Sequence, residues 1–481
     1  MLTILTDPLF FLFCGLLTVV GMILFLRVNA FLSLLAAALV VSFLTPLEPG
    51  QFWDDNVKNV CKAFGEMAGR VGILIAMGAI IGKCMLDSGA ADRIIRFIID
   101  LLGQRLVPAA LLTGGFVLSI PMFYDTTFYL LIPIVRGVYK RMQKNYILCL
   151  MAVGLGATLT HTLTPPTPGP IAVAETLAVP FGTMFIVSFM VAALAAFPAF
   201  AIASFMNWML PNPTIHFEDE IGSQEETARE ATTMLPSPSL FWSFAPIVLP
   251  VVLIASQTTV EMLEKAGRIV WSDDFFVLRN TLRLLGDPRF ALIVAAVAAM
   301  VVLFRCRKLS FDALSKQIEP ALLGAGIIIL ITAAGGAFGE TLRQAGIGGR
   351  IQELCQGEGG AGMSGVGLLL LAFGTAALIK TAQGSSTVAI ITTAGIFAGI
   401  LDSADTLVLP YNTAYLAVAI GLGSCVTGWM NDSGFWIFCR MGGIKETDAL
   451  KTWSVGLVFL GLSGLLIVLV LSWLLPLTSL P

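Results

Sequence analysis

Residues 161–170 read HTLTPPTPGP and interrupt a run otherwise apolar enough to lie in lipid, with LCLMAVGLGATLT before them and IAVAETLAV after. Each proline inside a helix removes a backbone hydrogen bond. Four prolines with Gly169 predict unwound chain here. Unpaired N–H and C=O groups are strongly unfavourable in hydrocarbon, so unwound backbone at membrane depth must face protein, water or a polar ligand. The decapeptide therefore predicts a helix broken around 161–170 beside a polar site near mid-membrane.

The rest of the 481-residue chain fits that reading: 57% of it is hydrophobic and 12% charged. A soluble fold needs more charge to cover its exterior. Many runs approach the roughly 20 apolar residues that cross a bilayer. The fold class is an all-α polytopic membrane protein. Crossings are expected near 9–26, 29–45, 60–86, 145–171 and 181–206, then near 239–256, 289–304, 321–342, 409–432 and 453–475. Segments 106–139 and 362–402 are too long for one crossing and polar at their centres, which predicts re-entrant hairpins. Basic residues are scattered, which excludes a nucleic-acid surface. No cysteine pair has CxxC spacing, so neither a disulfide framework nor a metal site is expected, and no cofactor motif appears. The start lacks the basic flank of a signal peptide, and 9–26 is read as a retained helix.

The loops RGVYKRMQK (136–144) and RCRKLSFDALSK (305–316) are the densest in positive charge and are placed in the cytoplasm, which puts both termini outside. Three stretches recur in order. GAIIGKCMLDSGAADRI (78–94) matches GGAFGETLRQAGIGGRI (335–351), GFVLSIPMFYDTTF (115–128) matches GTAALIKTAQGSST (374–387), and GLGATLTHTLT (154–164) matches GLGSCVTGWMN (421–431). Five crossings per half is an odd number, so the halves are expected to be inverted-topology repeats, each with one hairpin and one broken helix. The divisions are 1–210, a polar cytoplasmic linker at 211–238, and 239–481. The second broken helix is expected around 429–436, WMNDSGFW.

The hairpin tips supply the rest of the site. Asp125, Thr126 and Thr127 precede one returning arm; Gln383, Gly384, Ser385, Ser386 and Thr387 precede the other. Ser and Thr cap helix N-termini and glycine permits the reversal. A helix that starts at mid-membrane turns free N–H groups and the positive end of its dipole towards an anion.

The stretches YDTTFYLLIP, THTLTPPTPGP, LGDP (285–288), GSSTVAIITTAG and NDSGFW resemble, in order, signature stretches of the gluconate:proton symporter (GntP) family. The likeness spans nearly the whole chain outside the linker. It implies proton-coupled uptake of a sugar acid or small hydroxy acid across a bacterial cytoplasmic (inner) membrane. The chain departs from the family pattern in having Asp125 for a glutamate, Lys380 for an arginine, and Thr167 where a second histidine often sits.

Asp125, His161 and Asp432 are the candidate proton-coupling groups. Charge at the centre of a membrane helix is expensive and functional by default, and imidazole titrates near neutral pH. Against these stand a plain helix cap at Asp125 and a neutral His161 bonded to unwound carbonyls. Substrate contact is assigned to Thr126, Thr127, Thr164, Lys380, Gln383, Gly384, Ser385, Ser386, Thr387, Asn431 and Ser433. Lys380 has two further readings, neutralising Asp125 or Asp432 and snorkelling to the surface. The expected partners are a small anionic substrate, protons and membrane lipid; the apolar exterior fits lipid or a second copy of the chain equally. Sodium coupling through the oxygen-rich tips is the alternative. An intramembrane enzyme is the remote one, since no HExxH or G-x-S-x-G motif is present.

Overall fold

A computed structural model describes residues 7–24, 26, 28–46, 52–103, 106–142, 144–210, 238–265, 276–346, 365–402, 409–429 and 432–478. The expected linker lies outside the described residues save its last position, and so does Asn431. The described residues form helices and turns without an extended strand.

Helices α1 (Pro8–Leu24), α2 (Ala30–Leu44) and α3 (Trp53–Ser88) open the chain, and α4 (Ala90–Leu102) follows across a left-handed Gly89. Helix α4 is amphipathic, with Ile94, Ile95 and Ile98 buried on one face and Arg93 and Arg96 outside the buried set. The first hairpin comprises α5 (Val107–Leu118) and α6 (Tyr124–Met142). Then come α7 (Tyr146–Leu163), α8 (Pro168–Thr176) and α9 (Phe181–Met209). The second half runs α10 (Leu240–Lys265), α11 (Phe276–Gly286), α12 (Pro288–Arg307) and α13 (Phe311–Gln344). Its hairpin is α14 (Gly365–Gln383) and α15 (Ser386–Asp402), followed by α16 (Thr413–Gly423), α17 (Ser433–Gly442) and α18 (Glu446–Leu474). Among the described residues, seven segments, with 146–176 counted as one, are long and apolar enough to cross a membrane.

The break in the first half is shorter than its prolines suggest. Helix α7 continues through His161 to Leu163, and α8 starts at Pro168, so only 164–167 is unwound. Pro168 and Pro170 sit in the first turn of α8, where the missing N–H has no intrahelical partner to lose. The second break begins earlier than the motif WMNDSGFW: α16 stops at Gly423 and α17 starts at Ser433. The short helix α11 was not anticipated as a separate element.

Helices α3 and α13 pack antiparallel at the centre, with Met67 against Gly336, Gly72 facing Ile329, and Asp87 bonded to Gln317 at 2.9 Å. Helix α2 lies on α13 and α12 on α3, so each half packs on the other's central helix.

The hairpins open on opposite faces of the bundle. In the first half, Thr160 donates to Phe116 O at 2.8 Å and Gly156 abuts Leu112, so α5 runs alongside α7 in the same direction. Both arms therefore open where α7 begins. There Tyr146 donates to Gly442 O (2.6 Å) and Arg136 to Met441 O (2.7 Å), at the end of α17. In the second half, Tyr411 donates to Gly365 O (2.6 Å) and Tyr415 to Leu475 O (2.7 Å). The start of α14, the start of α16 and the end of α18 thus share the other face. The α16–α17 segment crosses from one face to the other, and the two tips point towards each other inside.

Close backbone approach holds the second hairpin against the central pair: a side-chain carbon at Gly339 of α13 would stand 2.7 Å from Gly395 Cα of α15. Gly339→Ala should therefore lower stability by about 1–3 kcal/mol, the usual penalty for overpacking. Gly324→Ala, at an open position of the same helix, should be neutral or mildly stabilising. Thermal unfolding of the two variants in one detergent checks this; equal midpoints would contradict the packing.

Candidate functional site

The second tip is built from its backbone inward. Helix α14 ends at Gln383, Gly384 takes φ +88°, and α15 starts at Ser386. Only glycine adopts that left-handed conformation without strain. Ser385 caps the new helix: its Oγ accepts from Val388 N at 3.4 Å and its carbonyl from Ala389 N at 3.0 Å. The other N–H groups of a helix's first turn have no intrahelical acceptor, which makes such a start a favourable place for an anion. Ser386 Oγ donates to Ser424 O (2.9 Å), tying the tip to the end of α16.

Lys380 lies on the last turn of α14 and is 2% exposed. Its ammonium donates to Gly384 O and to Asp432 Oδ2, the latter at 2.8 Å. Asp432 is the N-cap of α17, its Oδ1 accepting from Gly434 N at 3.0 Å. One carboxylate therefore closes a helix start and an ion pair together. An ammonium has three donors, and two are committed, so one remains for a ligand.

These groups surround a cavity of about 380 Å³. The second hairpin contributes Lys380 and residues 384–388, and the second break Asp432 and Ser433. The first hairpin contributes Phe123, Tyr124 and Asp125. Helix α7 contributes Thr158, His161 and Thr162, and α18 contributes Trp453 and Leu457. Asp125 falls in the first turn of α6, which starts at Tyr124, earlier than the motif suggested.

The sequence-derived set divides accordingly. Asp125, His161, Lys380, Gly384, Ser385, Ser386, Thr387, Asp432 and Ser433 share this one cavity. Thr126, Thr127 and Thr164 stand off its wall. Successive helical residues turn by about 100°, so Asp125 faces the cavity and the two threonines after it do not. Thr127 instead accepts from Ser119 at 2.9 Å and braces the tip. Thr164 ends α7, and its carbonyl accepts from Thr167 at 2.7 Å. The Gln383 side chain and Asn431 lie outside the described residues.

Several wall residues were not anticipated. Thr158 and Thr162 lie three residues before and one after His161, on one helical face, and that spacing was available in the sequence. Cys425 meets Thr162, with Sγ and Oγ1 2.9 Å apart. Tyr124 and Trp453 carried no local signal; Trp453 arrives through a π-helical turn, Leu450–Ser454.

The profile described as GntP family permease matches residues 8–474. A permease of Haemophilus influenzae is 31% identical over 468 residues, covering 95% of this chain and 91% of its own. A gluconate permease of Pseudomonas aeruginosa is 30% identical over 461 residues, covering 95% and 96%. The solved structure of MtrF from Neisseria gonorrhoeae, one of a class described as antimetabolite efflux pumps, superposes with a TM-score of 0.62. It covers 94% of this chain and 97% of its own at 14% identity, a likeness of fold.

The buried pair gives a stability prediction. Removing one partner of a buried ion pair leaves an uncompensated charge and typically costs about 3–5 kcal/mol. Lys380→Met should therefore destabilise by about that much, and adding Asp432→Asn should recover a large part. Thermal unfolding of the single and double variants reads this; a silent single variant would contradict the pair.

Proposed function

This chain belongs to the GntP permease family, and from that premise we propose that it is a secondary transporter that takes up gluconate or a related sugar acid together with a proton. It is a permease rather than an enzyme, as its family is. The observation that carries the substrate class is the cavity itself. A helix N-terminus and an ammonium with one uncommitted donor lie at one cavity, bordered by hydroxyls. That combination suits a carboxylate attached to a polyhydroxy chain. The gluconate permease of Pseudomonas aeruginosa supports the same class.

Charge balance argues for the proton. Lys380 offsets Asp432, which leaves Asp125 as the unbalanced charge on the wall. With Asp125 ionised, an incoming carboxylate meets net negative charge; with Asp125 protonated, it does not. Substrate and proton then favour each other's binding, as linkage requires. His161 is the second candidate carrier.

Inverted halves with tips meeting inside fit alternating access, in which one group of helices moves against the other around a central site. On this reading the protein sits in the bacterial inner membrane, with both termini outside and 1–210 and 239–481 as its repeats.

Purified protein in liposomes should accumulate gluconate under an inside-alkaline pH gradient without sodium. Asp125→Asn should reduce that accumulation at least tenfold while sparing exchange of labelled for unlabelled substrate. Accumulation with sodium alone would replace the proton reading by sodium symport; undiminished pH-driven uptake by the variant would remove Asp125 from the coupling.

A further inference from the structure

Three residues that line the cavity each carry a buried polar atom with no hydrogen-bond partner among the described residues: Tyr124 (Oη), His161 (Nδ1) and Trp453 (Nε1). Tyr124 is 7% exposed and Trp453 2%, so neither tip is spent on bulk solvent. Buried Tyr and Trp ordinarily find a partner for their polar ends.

The rings that carry these atoms are packed against other aromatic rings. Trp453 stacks on Phe438 with centroids 4.8 Å apart and planes 20° apart, and Tyr124 lies 5.7 Å from Trp453 and 5.5 Å from Phe128. His161 meets Phe123 edge to face at 5.9 Å. Glycines make room for the indole. A side-chain carbon at Gly154 would stand 2.5 Å from its six-membered ring, and one at Gly428 would stand 3.0 Å from its nitrogen and 2.8 Å from Asp432 Oδ2. The π-helical turn that delivers Trp453 is of a kind that recurs at functional sites, and Ser454 fastens it by donating to Gly428 O.

We infer that Tyr124, His161 and Trp453 form a hydroxyl-reading wall that selects a polyhydroxy carboxylate over an unsubstituted one of the same length. The donor and acceptor inventory argues for this ligand. Indole N–H only donates, phenol donates and accepts, and neutral imidazole Nδ1 does one or the other according to tautomer. Hydroxyl groups can answer all three. A second carboxylate only accepts, and it would sit beside Asp125 and Asp432 on the same wall. The substrate's carboxylate therefore goes to Lys380 and the α15 N-terminus, and its hydroxylated chain lies along the aromatic wall. This rests on the sugar-acid reading above and adds which residues enforce it.

The test uses purified full-length protein in detergent, with D-gluconate and hexanoate titrated separately into wild type, Tyr124→Phe and Trp453→Phe. Both substitutions keep a ring and delete a polar tip. Wild type should prefer gluconate by at least about a hundredfold. Each variant should bind gluconate about tenfold more weakly, the usual effect of one lost hydrogen bond, with hexanoate binding unchanged. Variants that discriminate as wild type does would overturn the wall. If Trp453→Phe fails to fold, Tyr124→Phe, which removes one oxygen, decides alone. Wild type that binds gluconate no better than hexanoate would overturn the wall, and wild type that binds neither would overturn the gluconate reading of the site and this inference with it.

Discussion

Backbone that leaves a helix inside hydrocarbon must have its N–H and C=O groups covered, and this constraint organises the molecule. Residues 164–167 leave the α7–α8 axis, and residues 424–432 separate α16 from α17. The other half's hairpin lies beside the helix that follows each break: α15 packs on α8, and α6 packs on α17. The same hairpins border the cavity, so the need to bury broken helices and the need to bind a polar solute are met by one arrangement.

Within that frame, the Lys380–Asp432 pair sets the electrostatics. A charge buried this deeply is tolerable only when paired, and the pairing uses three elements: the last turn of α14, the Gly384 carbonyl and the N-cap of α17. It fixes the second tip relative to the second break. It also leaves Asp125 as the charge whose ionisation changes the character of the site. A lysine suits this role better than a guanidinium, because it can divide its donors among a carboxylate, a carbonyl and a ligand without requiring a planar fork.

Much of this architecture could be read from the chain. Hydrophobic run length located the apolar helices, and the polar residues at 125–127 and 383–387 marked the hairpin turns. HTLTPPTPGP located the first break, although its extent was overdrawn, because Pro168 and Pro170 are compatible with a helix start. Asp125, His161, Lys380 and Asp432 were visible as polar groups at membrane depth. What was not visible depends on contacts far apart in sequence. Trp453 reaches the cavity because a π turn re-aims it and because Gly154 and Gly428 leave a slot. Nothing in TWSVG announces this. Thr126 and Thr127 belong to the recognised motif, but helical rotation carries them away from the wall.

On this reading an anion binds between the two tips, with its carboxylate at the N-terminus of α15. A cryo-EM structure of the protein in lipid nanodiscs with gluconate tests it most directly. Density is expected in the cavity, with the carboxylate within hydrogen-bonding distance of Lys380 Nζ and the first-turn N–H groups of α15, and with the hydroxylated chain towards Trp453. Gluconate bound elsewhere, or a second tip separated from Asp432 in every state, would contradict it.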